Sequence, residues 1–180
     1  MGTPTATTLR TTIAGLLESA GIVAAGRVFD TRTTPIPDGQ LPAIAVYVVS
    51  SAVDDGLRSR TSQSYRVTHT VAIQGILGAK TDADLGADLD TMEAAILSAV
   101  LSDVSWFADY EDVHWTGTEK GKTSEGDERR GSATVTIDVR SHETIAQSGL
   151  GSFTTAHLDT ALGDNDPDKT PQTGWEADVT

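Results

Sequence analysis

The segment TDADLGADLDTMEAAILSAV, residues 81–100, decides how this chain of 180 residues folds. Its apolar side chains recur every three or four positions, which predicts one buried stripe along a helix of about five turns. They are Leu85, Leu89, Met92, Ile96 and Val100. Thr81 is of a residue type that caps a helix start, and the aspartates after it suit the positive end of the helix dipole. A helix with one apolar face has to pack on a second layer of structure.

The segments before this helix predict a β-hairpin. In YRVTHTVAIQ, residues 65–74, apolar and polar side chains alternate, which indicates a strand with one buried face. The stretch LPAIAVYVVS, residues 41–50, is apolar on both faces from Ala43 onward, which indicates a central strand with Pro42 at its start. The polar segment 51–64 joins the two, so we expect a long hairpin with an extended tip.

The segments after the helix predict a second pair of strands, at residues 104–116 and 132–141. Between them the stretch GTEKGKTSEGDERRG, residues 117–131, has four glycines and almost no apolar atoms. Such a composition cannot form part of a core. We therefore expect a mobile hairpin tip that projects from the domain.

The N-terminal part adds a second helix. LRTTIAGLLESAG, residues 9–21, carries one apolar stripe and ends at a glycine, and a strand at 22–29 and a loop at 30–40 follow. The predicted order is α-β-β-β-α-β-β. Two amphipathic helices can cover one face of a largely antiparallel sheet, so the class is α+β with long hairpin loops. We assign residues 1–143 to this domain and residues 144–180 to an acidic C-terminal extension, in which 153–162 could form a short helix.

The composition limits the partners of the protein. Its net charge is −13, from 26 acidic and 13 basic side chains, and so negative a surface repels the phosphates of nucleic acids. This charge either serves solubility alone or keeps nearby DNA from binding. The chain has no cysteine, no apolar run near the roughly 18 residues of a membrane helix, and no signal-peptide pattern at its start. We expect a soluble protein with no membrane partner.

Candidate catalytic and metal-binding groups are sparse. His69, His114, His142 and His157 are scattered along the chain, which favours structural roles over a metal site. The aspartates at positions 164, 166 and 168 have the first spacings of a calcium loop, but a lysine follows where the turn glycine belongs. We predict no catalytic residue, no metal and no cofactor.

Two groups of side chains are candidates for contacts with other molecules. Arginine pairs bidentately with carboxylates, so basic residues at two hairpin tips could reach a neighbouring molecule, or could remain solvated. These candidates are Arg58, Arg60, Lys120, Lys122, Arg129 and Arg130. The large aromatic residues near the fourth strand serve either core packing or docking. They are Trp106, Phe107, Tyr110 and Trp115.

Several passages resemble the tail terminator family of long-tailed bacteriophages, the proteins similar to minor tail protein U. The likeness lies in LRTTIAGLLESAG, in AGRVFDTRTTPIPDGQLPAIAVYV and in DDGLRSRTSQSYRVTHTVAIQG. It continues through the helix at 81–100 and the final strand ATVTIDVR. It covers residues 9–143 and leaves out the C-terminal extension.

The resemblance implies a virion structural protein, not an enzyme. Its expected form is a homo-oligomeric ring, a hexamer, that caps the head-proximal end of the tail tube and stops polymerisation of the tube protein. The ring would dock head-completion or neck proteins and let DNA pass through its lumen without specific binding, in the virion tail after assembly in the host cytoplasm. Alternatives are another head–tail joining or tail-completion protein of the same fold, a non-viral adaptor domain, and a small hydrolase or metal-dependent enzyme.

Overall fold

The computed structural model describes residues 6–30, 34–58, 62–79, 81–125, 128–146, 155–158 and 175–178. Within them lie two α-helices, α1 (Ala6–Ser19) and α2 (Asp82–Leu101). The strands are β1 (Val28–Phe29), β2 (Ala43–Arg58), β3 (Ser62–Ala79), β4 (Asp112–Glu125), β5 (Glu128–Ala146), β6 (Thr155–Leu158) and β7 (Trp175–Asp178). Short 3-10 turns at Asp38–Gln40 and Trp106–Asp109 precede β2 and β4.

Strands β1 to β5 form one five-stranded sheet in the spatial order β1-β2-β3-β5-β4. β1 runs parallel to β2, and every other neighbouring pair is antiparallel. α1 packs on β1 and β2, α2 packs on β3 and β5, and the helices touch each other. Both helices and the sheet share one hydrophobic core, so the helices cover the same face. The predicted α+β class and the order of its elements are confirmed.

The core forms because each element contributes one apolar face. The stripe of α2 that the sequence predicts is buried along its whole length, and so is the α1 stripe of Leu9, Ile13 and Leu17. The sheet contributes alternate residues of its central strands, among them Ile73 of β3 and Ile137 of β5. Because successive side chains of a strand point to opposite faces, the residues between these buried ones lie on the other face of the sheet, which no described helix covers.

Two glycines allow α2 to lie close to the sheet. A Cβ atom at Gly75 would stand 2.6 Å from Met92 Cγ, and one at Gly131 would stand 2.9 Å from Leu89 Cδ1. No real side chain tolerates such distances without movement of its neighbour. The start of α2 is fixed by Thr81, whose side-chain hydroxyl accepts a hydrogen bond from the Asp84 amide at 3.1 Å.

The hairpins differ from their predicted form because the strands are much longer. β2 extends to Arg58 and β3 begins at Ser62, so most of the predicted loop 51–64 is strand. β4 and β5 likewise extend through most of 117–131, where we expected a mobile tip. Pairing of backbone groups, from Lys122 with Gly131 to Glu125 with Glu128, does not need apolar side chains. A polar composition therefore does not end a strand whose neighbour continues beside it.

Three further predictions are corrected. Residues 104–116 are not one strand, because Trp106 turns inward and its indole N–H donates to the Val100 carbonyl at 2.9 Å, which places a 3-10 turn before β4. The strand expected at 22–29 is limited to β1. Near the C-terminus, residues 155–158 form β6, which pairs with β7, and not the expected short helix; the rest of 153–162 lies outside the described residues.

The domain boundary placed after Glu143 stays a prediction, and β5 itself continues to Ala146. The residues of the incomplete calcium loop at 164–168 lie outside the described part of the chain. None of the helices in the described ranges combines the length and the hydropathy required to traverse a bilayer.

Candidate functional site at the sheet edges

The sheet has a long unpaired edge on each side. β4 pairs only with β5, and no strand among the described residues lies on its outer side. On the other side, β1 pairs with β2 only at Ile44 and Ala45, so the rest of β2 borders no described strand. Unpaired edges present rows of backbone donors and acceptors that another chain can bind.

Large exposed apolar side chains concentrate on these two strands. Among the described residues, the large apolar side chains that are clearly exposed are Val49 at 65%, Val53 at 63%, Val104 at 68% and Trp115 at 48%. Val49 and Val53 lie on β2 and Trp115 lies on β4. An apolar side chain beside an unpaired strand edge can be covered by a chain that pairs with that edge.

The basic candidates of β4 are directed at the helix layer. Lys120 Nζ lies 2.6 Å from Asp90 Oδ1 and 2.5 Å from Glu93 Oε2, so it joins β4 to α2. The hydrogen bonds from Lys120 hold the pKa values of both carboxyls below their ordinary range, and the same contacts raise the pKa of the lysine. Lys122, two residues further, lies beside Gly86 of α2.

The other basic candidates do not form one cluster. Arg130 forms an ion pair with Asp38 of the turn before β2. Arg129 and Arg130 together line one groove. Arg58 ends β2 and its side chain is not described, and Arg60 lies outside the described residues. The interface role of all six basic residues stays a prediction.

The four aromatic candidates divide into a core group and one exposed residue. Trp106 is buried, and its ring contacts Phe107 and Tyr110 edge to face, with centroids 4.9 and 5.4 Å apart. Burial raises the pKa of the Tyr110 phenol. These three residues close the core behind α2, and Trp115 alone of the four is directed substantially to solvent.

A hydrogen-bonded cluster around His69 joins three strands, and the sequence did not predict it. His69 of β3 is only 3% exposed; its Nδ1 lies 2.8 Å from Ser51 Oγ of β2, and its Nε2 lies 3.0 Å from Glu143 Oε1 of β5. Ser141 Oγ is 3.3 Å from the same Nε2. In the neutral imidazole whose Nε2 donates to the carboxylate, Nδ1 accepts from the Ser51 hydroxyl.

This cluster has the elements of a hydroxyl activated by an imidazole and a carboxylate. It also satisfies every polar group that it buries, which is what a structural histidine requires. The sequence signal was limited to a histidine in the apolar register of residues 65–74. Its partners come from segments 18 and 74 residues away, so only the fold shows them.

The helix-free face carries a charged group at the start of β4. Arg66 Nε donates to Glu111 Oε2 at 2.8 Å, and this bond lowers the pKa of the Glu111 carboxyl. His142 lies on the other oxygen of Glu111 at 2.5 Å. Arg140 lies 3.4 Å from Asp54. These pairs hold the β2, β3, β5 and β4 segments together at one end of the sheet.

Two grooves open on the surface. The larger, about 750 Å³, has an apolar floor that includes Leu41, Leu77 and Met92, with Arg129 and Arg130 at its edge. The smaller, about 290 Å³, lies near the β4–β5 hairpin. Neither is lined by the His69 cluster. The described residues contain no group of three histidine or carboxylate side chains that could hold a metal ion.

No known protein family matches the sequence, and neither does any curated protein. Among solved structures, one similar chain belongs to the virion of a native gene transfer agent particle. The two chains are 16% identical with a TM-score of 0.44, and the alignment covers 76% of this chain and 92% of that chain. At this TM-score the likeness assigns neither fold nor function.

Proposed function

We propose that this protein is a phage tail terminator, a structural protein whose copies form a ring on the head-proximal end of the tail tube. The ring, a hexamer, stops polymerisation of the tube protein and offers a docking surface to head-completion or neck proteins. The proposal starts from the resemblance of residues 9–143 to that family. The alternative within the same role is another head–tail joining or tail-completion protein.

The observation that carries the proposal is the pair of unpaired sheet edges. A cyclic ring needs two different surfaces on each subunit, one for each neighbour. β2 and β4 border opposite sides of one sheet, and each carries exposed apolar side chains. The two strands also run antiparallel, because three antiparallel steps separate them. When copies are related by a rotation about an axis parallel to the strands, β4 of one copy runs antiparallel to β2 of the next copy.

The charge of the chain fits the passage of DNA. With a net charge of −13, the ring repels phosphates, and it can surround DNA without retaining it. Several of the basic side chains whose positions are described lie in ion pairs, among them Lys120, Arg66 and Arg140. They therefore contribute little free positive potential.

We propose further that the protein acts without catalysis and that the His69 cluster stabilises the sheet. Acyl transfer needs a substrate site beside the nucleophile, and neither groove reaches Ser51. A fluorophosphonate probe tests this. Intact-mass spectrometry should show no adduct on the native protein, whereas an adduct lost in Ser51→Ala would support the hydrolase alternative.

Inhibition of tube growth tests the main proposal. Purified tube protein is polymerised with and without this protein, and tube lengths are measured by negative-stain electron microscopy. We expect short, capped tubes with density at one end only. Tubes of unchanged length, at a concentration where light scattering shows assembled rings, would contradict the terminator role.

One alternative is favoured by a specific observation. The groove of about 750 Å³ could hold a peptide, as in an adaptor domain outside viruses. That function predicts a monomer at every concentration and no effect on tubes. Size-exclusion chromatography with multi-angle light scattering therefore separates the two candidates before any tube protein is needed.

A further inference from the structure

Three of the exposed large apolar side chains in the described structure lie on the two unpaired edges, and the strand register shows how they can meet. Trp115 pairs with Ile137 of β5, Ile137 with Val71 of β3, and Val71 with Val48 of β2. Trp115 is therefore level, along the strand direction, with Val48 and with Val49, which follows it. A copy displaced sideways would bring Trp115 to this part of β2.

The same register indicates which part of each edge is accessible. The first part of β4, from Asp112 to Trp115, is level with residues 48–52 of β2. The later part of β4 is level with Ile44 and Ala45, where β1 already occupies the β2 edge. A copy displaced sideways without a shift along the strands can therefore pair along Asp112–Trp115.

The faces agree as well. Cross-strand partners point to the same side of a sheet. Trp115 is opposite the buried Ile137, and Val53 is opposite Val67, which is 5% exposed. Both exposed side chains are therefore on the helix-covered side. If the two edges joined into one sheet, Trp115 would be level with Val48 and Val49, and Val53 would lie further along the β2 edge on the same side.

We propose that copies of this chain associate through the outer edge of β4 at Asp112–Trp115 and the outer edge of β2 at Val48–Val53 of the next copy. The strands would pair antiparallel, and Trp115 would contact the edge of β2 at Val49. The interface is heterologous, so each copy uses both surfaces, and the arrangement forms a ring when the rotation between copies closes. This inference rests on the proposed ring-forming function. It makes the apolar strand edges, and not the basic residues of the hairpins, the main contact between copies.

The molecule that pairs with each edge is a second copy of this chain, because one chain carries both halves of the contact. The strand directions match, the apolar side chains are on matching faces, and β1 stops before it blocks the site. The register shifts after Val48 and after Trp115 limit continuous pairing to a few residues. Such bulges set one register and prevent open-ended sheet growth.

Cysteine cross-linking tests the interface, and the natural chain has no cysteine to interfere. The double variant Val49→Cys with Trp115→Cys is treated with a short bis-maleimide at a concentration where oligomers are present. We expect a ladder of covalent oligomers that ends at the ring size. A mixture of the two single variants should give covalent dimers only, and each single variant alone should give none.

Ala94→Cys combined with Trp115→Cys is the matched control, because Ala94 is exposed on α2 and away from both edges. Its ladder should be at least tenfold weaker. A ladder of equal strength, or dimers from a single variant alone, would overturn the heterologous edge contact. Ala52→Cys paired with Asp112→Cys, two positions that the register makes level, repeats the test should Val49→Cys fail to fold.

Cross-linking and tube length together distinguish the proposed edge interface from the proposed terminator role. Oligomers and short tubes without any edge-specific cross-link would overturn the interface and leave the terminator role intact. An edge-specific ladder with tubes of normal length would support the interface and contradict the terminator role. A monomer that gives no ladder at any concentration would overturn the inference itself.

Discussion

At the scale of single residues, His69 joins three strands through side-chain hydrogen bonds. Replacement by Ala leaves the Ser51 hydroxyl and the Glu143 carboxylate without this partner. Loss of a buried hydrogen-bonding group costs about 1–3 kcal/mol. We expect His69→Ala to lower the free energy of unfolding by that amount in urea denaturation.

His114→Ala is the control for this prediction. His114 also lies on a strand and has an aspartate neighbour, but its side chain is 52% exposed. Exposed substitutions of this kind change stability by less than about 0.5 kcal/mol. Equal effects of the two substitutions would show that the His69 cluster does not stabilise the sheet.

Lys120 gives a prediction that depends on pH. Asp90 and Glu93 have ordinary pKa values of 3.8 and 4.5, and the contact with Lys120 lowers both. A lowered carboxyl pKa adds stability that is complete above the ordinary value and is lost as the pH falls through the lowered value. The raised pKa of Lys120 adds stability that is lost only when the pH rises above its ordinary 10.5.

We therefore expect the melting temperature of Lys120→Met to lie below that of the wild type by a constant amount between about pH 5 and 9. The difference should shrink in acid below pH 4.5. Lys122→Met, on the same strand and face, removes only the smallest of the effects on the Asp90 pKa and should show a much smaller difference. A difference that does not vary with pH would mean that Lys120 acts through packing alone.

At the scale of elements, the contact of α2 with the sheet depends on the two glycines below it. Gly75→Val would bring a branched side chain against Met92 and Ile96 and is expected to cost about 1–3 kcal/mol in urea unfolding. Gly15→Ala on α1 has open space and should instead stabilise by up to about 1 kcal/mol. If Gly75→Val unfolds like the wild type, α2 is not held as closely as the distances indicate.

The helices and strands that bury only one face were the ones that the sequence predicted best. The stripes of α1 and α2 and the alternation around residues 65–74 follow from periodicity, and the structure confirms them. Strand ends were predicted poorly, because Lys122 or Glu125 belongs to a strand only through the backbone of β5 beside it. Local composition contains no information about such a neighbour.

The candidate site was less predictable than the fold for the same reason. Val49 looks like an ordinary strand residue in sequence and Val53 falls in the predicted loop 51–64, and only the short β1 leaves their edge open. Trp106 and Trp115 are equivalent by composition, yet one closes the core and the other faces solvent. Ser51, His69 and Glu143 meet only after β2, β3 and β5 are placed side by side.

At the scale of the whole molecule, two interface hypotheses make opposite predictions about Trp115 and the Arg129–Arg130 pair. If the apolar edges join the copies, Trp115→Asp should convert the oligomer to a monomer and leave the fold intact, because this side chain is half exposed. Arg129→Glu with Arg130→Glu would then leave the oligomer unchanged. The loss of the Asp38 ion pair would cost stability of about 0–1 kcal/mol.

Salt distinguishes the same hypotheses without any mutation. Contacts between exposed arginines and carboxylates weaken as ionic strength rises, since the Debye length falls from about 10 Å at 0.1 M to about 3 Å at 1 M. Backbone pairing and apolar burial at β2 and β4 are not screened in this way. Light scattering across this range should therefore give a constant oligomer mass, a multiple of the 18.9 kDa chain. Dissociation in high salt would instead assign the contact to the basic residues, and the edges would then serve another partner.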